Sequence, residues 1–240
     1  MILLVALLGL QLQTSQADLC VQIRSSDPSA RTEAVRLTIA IPLAAMSREL
    51  QKCLANELLR ASADVDSLQQ RPMGSVTPET IAAAERYQFA LVDAINQSID
   101  ASVLPALAAA LNAGTTAIRG IAKFGEAGIE PAASVALAGR DVAAANALLT
   151  LKLIIEGSHY SPLSREGLQR IKYVALTRLS GRQPLVIAMV ACDLAVATKD
   201  QTLRSIVTRL AASPQEAATL GLVGWQAELL NRRAKQALQK

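Results

Sequence analysis

The only histidine of the chain, His159, has the side chain whose proton transfer is easiest to use at neutral pH. It lies in a polar segment, GSHYSP, that follows a long apolar stretch. A histidine in a loop can act as a general base when a reacting group lies within hydrogen-bonding distance. However, the sequence contains no HExxH, GxSxG, GxxxxGK[ST] or GxGxxG motif, which would indicate a zinc site, an activated nucleophile or a phosphate-binding loop. The sequence therefore predicts no catalytic, metal or cofactor site, and it favours a surface role for His159.

Two carboxylates at alternate positions, Asp64 and Asp66, are the other group that could bind an ion. Residues 64–76 contain Pro72 and Gly74 and predict a loop. A calcium loop needs more oxygen ligands than one acidic pair supplies. A solvated turn is therefore the favoured interpretation.

The three cysteines are few for a disulfide-built scaffold, and their number is odd. Cys20 and Cys53 lie 33 residues apart, so neighbouring helices could bring them together in an exported protein. The alternative, which the sequence favours, is three free buried thiols, because cysteine packs well as a small hydrophobic residue. Cys192, in the apolar segment VIAMVACDLAV, is predicted to lie in the core.

The spacing of leucines predicts the elements that must position these residues. Leu104, Leu107 and Leu111 lie at i, i+3 and i+7, which is the period of a helix with one buried face. Residues 102–157 form two such helical hairpins, and Pro105 and Pro131 occupy the same place early in each one, as an internal repeat. No segment alternates with period two, so the chain is predicted to be all-α. Further helices are predicted from Pro28 and at 47–61, 77–99, 168–179, 185–197, 201–211, 214–222 and 226–238.

The N-terminal segment indicates export. Residues 2–12 are almost wholly apolar, and Ser15-Gln16-Ala17 fits a small-x-small cleavage site, so residues 1–17 are predicted to be a signal peptide cleaved near Ala17. The mature protein would then be periplasmic or secreted. Because no Lys or Arg precedes the apolar run, the alternative is a cytoplasmic protein in which residues 1–17 form a capping helix. No other stretch reaches 18 unbroken apolar residues, so no transmembrane helix is predicted in the mature chain.

Charge is unevenly distributed along the chain. Residues 1–156 carry 12 Lys and Arg against 15 Asp and Glu, whereas residues 157–240 carry 12 against five. The basic C-terminal part could attract an anionic partner or a membrane surface, but the favoured interpretation is a set of solvated helix faces. Aromatic residues make up only 2% of the chain, which argues against a surface that stacks single-stranded nucleic acid.

A recurring pattern links these helices. It consists of a proline in one helix, an Asn or Asp in the turn, and an aliphatic residue followed by Arg at the opening of the next helix. It occurs as Leu104-Pro105, Asn112 and Ile118-Arg119, again as Pro184-Leu185, Asp200 and Leu203-Arg204, and partly as Asp27 with Ala30-Arg31. With this pattern the chain resembles the HEAT-repeat family of armadillo-like α-solenoids, built from stacked antiparallel helical hairpins. The hairpin that contains Pro131 and Asp141 has Ala144-Ala145 where the family has the aliphatic–Arg pair.

The resemblance implies a single repeat domain over residues 18–240, with hairpins 102–157 and 183–212 as the best matches. It also implies a non-enzymatic scaffold that binds another protein or peptide on a concave face, without nucleic acid or cofactor. Arg119, Lys123 and Arg204, at the openings of second helices, are the candidate partner contacts. The alternative function is a small all-α enzyme or regulatory subunit that uses the 62–76 and 157–166 loops with His159. A cytosolic HEAT-like adaptor is the second alternative.

Overall fold

The structure, a computed structural model, describes residues 16–42, 45–72, 74–139, 141–157 and 162–239. Within these ranges the chain forms α-helices joined by turns and short 3-10 segments, and it forms no strand, which confirms the all-α prediction. The helices are α1 (residues 16–23), α2 (Pro28–Ile39), α3 (Arg48–Gln69), α4 (Pro78–Asn96), α5 (Leu104–Ala109), α6 (Thr115–Ala122), α7 (Ile129–Ala138), α8 (Asp141–Gly157), α9 (Arg165–Arg178), α10 (Leu185–Ala197), α11 (Gln201–Ala212) and α12 (Trp225–Leu238).

Polar side chains fix the starts of the first long helices. Asp27 accepts a hydrogen bond from the N–H of Ser29 at 2.9 Å, and Ser47 accepts one from the N–H of Leu50 at 3.2 Å. Each contact satisfies one of the donors that have no partner within the helix. Proline follows Asp27 in the first turn, where its missing N–H costs little.

Two helices, α3 and α4, end three or more residues away from the predicted ends. α3 continues eight residues beyond the predicted end, to Gln69, because no proline or glycine interrupts it before Pro72 and because buried Val65 extends its apolar face. The predicted loop at Asp64 and Asp66 is therefore wrong, and both carboxylates lie on a helix. α4 stops at Asn96, three residues before the predicted end, and Ile99, the last residue of the predicted helix, is 79% exposed.

The chain divides into two compact units, one up to Ala117 and one from Ile118 onward. We call them unit 1 and unit 2. The core of unit 1 is made by aliphatic residues of α3, α4 and α5, among them Leu54, Leu91 and Leu107, each fully buried. The core of unit 2 uses smaller side chains as well, and buried alanines of α7, α8 and α10 let the helix axes approach closely.

Packing within each unit follows the order of the chain. In unit 1, α3 packs on α4 and α5, and α2 packs on α4. In unit 2, α7 packs on α8 and α9, α10 packs on each of α8, α9, α11 and α12, and α11 packs on α9 and α12. The strongly packed helices of the described chain are thus neighbours one or two places apart. None of the described helices has the length and apolar content needed to cross a membrane.

Candidate functional site

A groove of about 540 Å³ opens in unit 2 beside α8, α9, α10, α11 and α12. Part of its lining is apolar and comes from Leu168, Val196, Ala197 and Ala237. The charged part comes from Lys152, Glu156, Asp193, Lys199 and Arg204. We call this feature the basic groove.

The two carboxylates of the basic groove already have cationic partners. Glu156 accepts from the ammonium of Lys152, one helical turn away, at 2.5 Å. Asp193 is 8% exposed and accepts from two nitrogens of Arg233 on α12, Nη2 and, at 3.1 Å, Nε. A buried carboxylate needs a cationic partner, and Arg233 supplies it for Asp193. Since the two residues lie on α10 and α12, their ion pair links these helices.

Lys199 and Arg204, by contrast, make no ion pair with any residue that the structure describes. Both side chains are exposed. The basic groove therefore presents two cationic groups whose hydrogen-bond donors are available to an anionic group of a ligand.

The backbone at Lys199 is held in an unusual conformation. Its φ is 56°, the only positive φ of a non-glycine residue in the described ranges. Lys199 follows the C-cap of α10, a position that glycine usually occupies, since a side chain costs about 1–2 kcal/mol in the left-handed region. Asp200 fixes the next residues by accepting the N–H of Leu203 at 3.1 Å and pairing with Lys172 at 3.0 Å. These contacts, with the Leu203 N–H contributing most, hold the pKa of Asp200 below its ordinary value.

The candidate contacts from the sequence lie in different places. Arg204 lines the basic groove, whereas Arg119 and Lys123 do not. Arg119 is exposed on α6, and the Nζ of Lys123 lies 5.3 Å from the centre of the Phe124 ring. The sequence pattern did not identify Lys199, and the one available signal was a lysine directly before the predicted turn residue Asp200.

The predicted acidic pair does not converge on one point. Asp64 pairs with Arg60 at 3.0 Å, and Asp66 accepts from the side-chain amide of Asn112 at 3.4 Å. Burial raises the pKa of Asp66. No group of three or more His, Cys, Asp or Glu residues within the described ranges is arranged to hold a metal ion. His159 lies outside the described residues, as do its neighbours at 158–161.

Two of the three cysteines form a disulfide. Cys20 of α1 and Cys53 of α3 are joined, with their Cα atoms 5.9 Å apart. This is the pairing that the sequence allowed and did not favour. Cys192 is free and fully buried on α10, and burial raises the pKa of its thiol to about 12. A thiol that stays protonated at neutral pH is a poor nucleophile and packs as an apolar group.

The chemistry of the basic groove is that of binding an anion beside an apolar surface. Its one hydroxyl, on Thr198, donates to the carbonyl of Ala195 at 2.6 Å within α10. Ammonium and guanidinium groups remain as the donors for a carboxylate. No protein-family model, no curated protein and no solved structure matches this chain.

Proposed function

We propose that this protein is a non-enzymatic binding protein whose basic groove holds an acidic segment of another protein or peptide. The observation that carries the proposal is the pair Lys199 and Arg204, two cations without a described acidic partner beside the apolar lining. A segment that alternates acidic and apolar side chains would place carboxylates on these two residues and apolar groups on Leu168 and Val196. Lys199 in a strained backbone conformation supports this choice, because such conformations often occur at functional sites.

The charge of unit 2 supports the same ligand class. Residues 118–240 carry 16 Lys and Arg against nine Asp and Glu, a net charge of +7, while residues 1–117 carry eight against 11, a net charge of −3. A field of one sign raises the rate at which an oppositely charged partner meets the binding surface. Acidic segments would therefore be attracted to unit 2 before they reach the groove.

The proposal includes a HEAT-like α-solenoid architecture. In a stack of hairpins, each helix contacts its hairpin partner and the equivalent helix of the next hairpin. The packing within unit 2 supports this scheme, because α9 contacts both α7 and α11, and α10 contacts both α8 and α12. In this scheme α9 and α10 form one hairpin. The sequence pattern predicted a different hairpin, 183–212, in which α10 pairs with α11.

Export of the protein is the third part of the proposal. The predicted signal peptide falls mostly outside the described residues, so support comes from the disulfide between Cys20 and Cys53. Disulfides of this kind persist in oxidising compartments such as the periplasm or the exterior of the cell. N-terminal sequencing of the mature protein tests this part, since we expect Asp18 as the first residue and an intact Met1 would contradict export.

The binding proposal can be tested with a fluorescein-labelled dodecapeptide of alternating Glu and Leu, measured by fluorescence anisotropy. We expect saturable binding that weakens at least about tenfold in the double variant Lys199→Asn, Arg204→Gln, because hydrogen bonds to charged groups contribute about 1.5–3 kcal/mol each. Asparagine is chosen at position 199 because it tolerates a positive φ. The matched control is Arg119→Gln, Lys123→Gln, which removes the same charge from unit 2 outside the groove.

Each other outcome contradicts part of the proposal. An equal loss in both double variants would show that binding depends on overall charge or on the α6 surface, and would exclude the groove as the specific site. Equal binding of a Lys–Leu peptide would contradict the preference for acidic segments. No saturable binding by the wild-type protein would contradict the ligand class itself.

A further inference from the structure

A second groove, of about 440 Å³, lies in unit 1 between α2, α3 and α4. Three arginines line it: one from α2, one from the C-terminal half of α3, and one that lies two residues after the end of α3. They are Arg31, Arg60 and Arg71. Apolar lining comes from alanines of α3 and α4 and from Leu68. We call this feature the arginine groove.

Only one of the three arginines is fully engaged within the protein. Arg60 donates to both oxygens of Glu57, at 2.9 and 2.5 Å, and to Asp64 at 3.0 Å. The hydroxyl of Tyr87 donates to the same Glu57 at 2.8 Å. The two carboxylates near the groove, Glu57 and Asp64, are therefore satisfied by Arg60 and Tyr87.

Arg31 is held against an aromatic ring and has no anionic partner among the described residues. Its guanidinium carbon lies 5.3 Å from the centre of the Tyr87 ring, a distance at which a cation is attracted by the face of the ring. Its Nε is buried and has no hydrogen-bond acceptor in the described structure. A buried donor without an acceptor costs about 1–3 kcal/mol, and an anionic ligand bound to the guanidinium would offset part of that cost.

Arg71 adds a second cation at the end of α3. Its side chain is exposed and makes no ion pair with a described residue. Three arginines against the two carboxylates Glu57 and Asp64 leave the groove and its surroundings with a net charge of +1. Glu57 and Asp64 remain nearby, so a singly charged carboxylate fits this environment better than a dianion such as phosphate.

We propose that the arginine groove binds a carboxylate attached to a hydrocarbon chain. Arg31 holds the carboxylate through its planar fork of donors, and Arg71 contributes the second positive charge. The hydrocarbon part lies against the alanines of α3 and α4. Such a ligand is either a small free acid or an acidic side chain of a peptide, and the site lies in a different unit from the basic groove, beyond the function proposed above.

The test is a titration of the full-length, disulfide-containing protein with hexanoate, followed by two-dimensional NMR of backbone amides. We expect saturable shifts at Ala83 and Ala84, and little change with hexanamide, which has the same shape and no charge. Arg31→Gln should weaken the affinity for hexanoate at least about tenfold, since a bidentate charged contact is lost. The matched control is Arg36→Gln on the same helix, whose guanidinium pairs with Glu33 at the surface.

Two further measurements keep the test decisive. The variant Arg31→Lys keeps the positive charge but loses the planar guanidinium, so we expect it to bind hexanoate more weakly than the wild-type protein does. We expect the midpoint of its thermal unfolding to stay close to that of Arg31→Gln. Acetyl-Leu-Glu-amide competes for the same site if the natural source is a peptide, and tighter binding than that of hexanoate would identify that source. Weaker binding would identify a free acid.

The remaining outcomes overturn the proposal. Unchanged affinity in Arg31→Gln would remove Arg31 from the site, and equal binding of hexanamide would remove the carboxylate. Tighter binding of inorganic phosphate than of hexanoate would show a site for another anion. Shifts confined to Lys199 and Arg204 would show that hexanoate binds only the basic groove, which would refute the arginine groove and leave the function proposed for unit 2 intact.

Discussion

Tyr87 contacts two charged residues. Its hydroxyl bonds to the buried carboxylate of Glu57, and its ring lies beside the guanidinium of Arg31. The side chain donates to Glu57, and burial together with this hydrogen bond raises the pKa of the phenol above its ordinary value, burial being the larger cause. A raised pKa in the folded state means that the protonated phenol favours folding. This contribution is fully present below about pH 10, the ordinary pKa of tyrosine, and is lost as the pH rises through the folded-state pKa.

Replacing Tyr87 with Phe should therefore change the alkaline titration of the protein. Ultraviolet absorbance of phenolate should show, in the wild type, a component that ionises above the ordinary pKa of tyrosine, and this late component should be missing from Tyr87→Phe. At neutral pH the variant should lose about 1 kcal/mol of unfolding free energy, because Glu57 loses one hydrogen bond. Tyr173→Phe is the control, since Tyr173 is 55% exposed, and loss of the late component there would contradict the assignment.

At the scale of single elements, the start of α9 shows how one glycine permits a close contact. Ser164 accepts the N–H of Gly167 at 2.9 Å, and it donates its own N–H and hydroxyl to Glu126 at 3.1 and 2.5 Å. The space that a Cβ on Gly167 would need is occupied by the Glu126 carboxylate and by Ile129. At the end of α8, the space around Gly157 is open.

The same substitution should therefore have opposite effects at these two glycines. Gly167→Ala should lower the free energy of unfolding by about 1 kcal/mol, because the added Cβ displaces the Glu126 carboxylate from its hydrogen bonds with Ser164. Gly157→Ala should raise it by up to about 1 kcal/mol, because alanine restricts the unfolded chain and meets no neighbour. Urea unfolding of both variants measures the difference, and a stabilised Gly167→Ala would contradict the packing at the start of α9.

Helix starts were more predictable than helix ends. Asp27, Ser47 and Thr77 each precede a proline or a run of helix-forming residues, and each caps the helix that it predicts. The end of α3 was misplaced because the residues after Ala61 are polar and carry no local stop signal until Pro72. The end of a helix then depends on what its last turns pack against, which the sequence of that segment alone does not contain.

The two grooves were less predictable still, for the same reason. Arg204 could be found because it occupies a recurring position at the opening of a helix. Lys199 could not, because nothing in a lysine indicates a positive φ. The contact between Arg31 and Tyr87 joins α2 to α4. It depends on the packing of these two helices, which are not consecutive in the sequence because α3 lies between them.

For the whole molecule, the disulfide and the charge belong to different units. Cys20 and Cys53 both lie in unit 1, whereas the excess of basic residues lies in unit 2. The covalent link closes a loop that spans 33 positions of the chain, which in the chain-entropy account stabilises the folded state by roughly 3–4 kcal/mol.

Reduction of the disulfide should therefore weaken unit 1 by about that amount. Hydrogen exchange followed by mass spectrometry should show faster exchange in α3 and α4, with α10 as the internal reference, because its described packing partners all lie in unit 2. In denaturant without reductant, a thiol assay should find one reactive cysteine, Cys192, and three after reduction. Three thiols before reduction would show that the disulfide is absent.

The order in which helices pack also bears on how the chain is made. Because each strongly packed helix finds its partners within the next two helices, a nascent polypeptide can begin to bury apolar surface while its C-terminal end is still unsynthesised. Contacts between helices that are close in the chain form quickly, since few long loops must close before them. Little apolar surface would then stay exposed while the chain folds, which lowers the opportunity for aggregation.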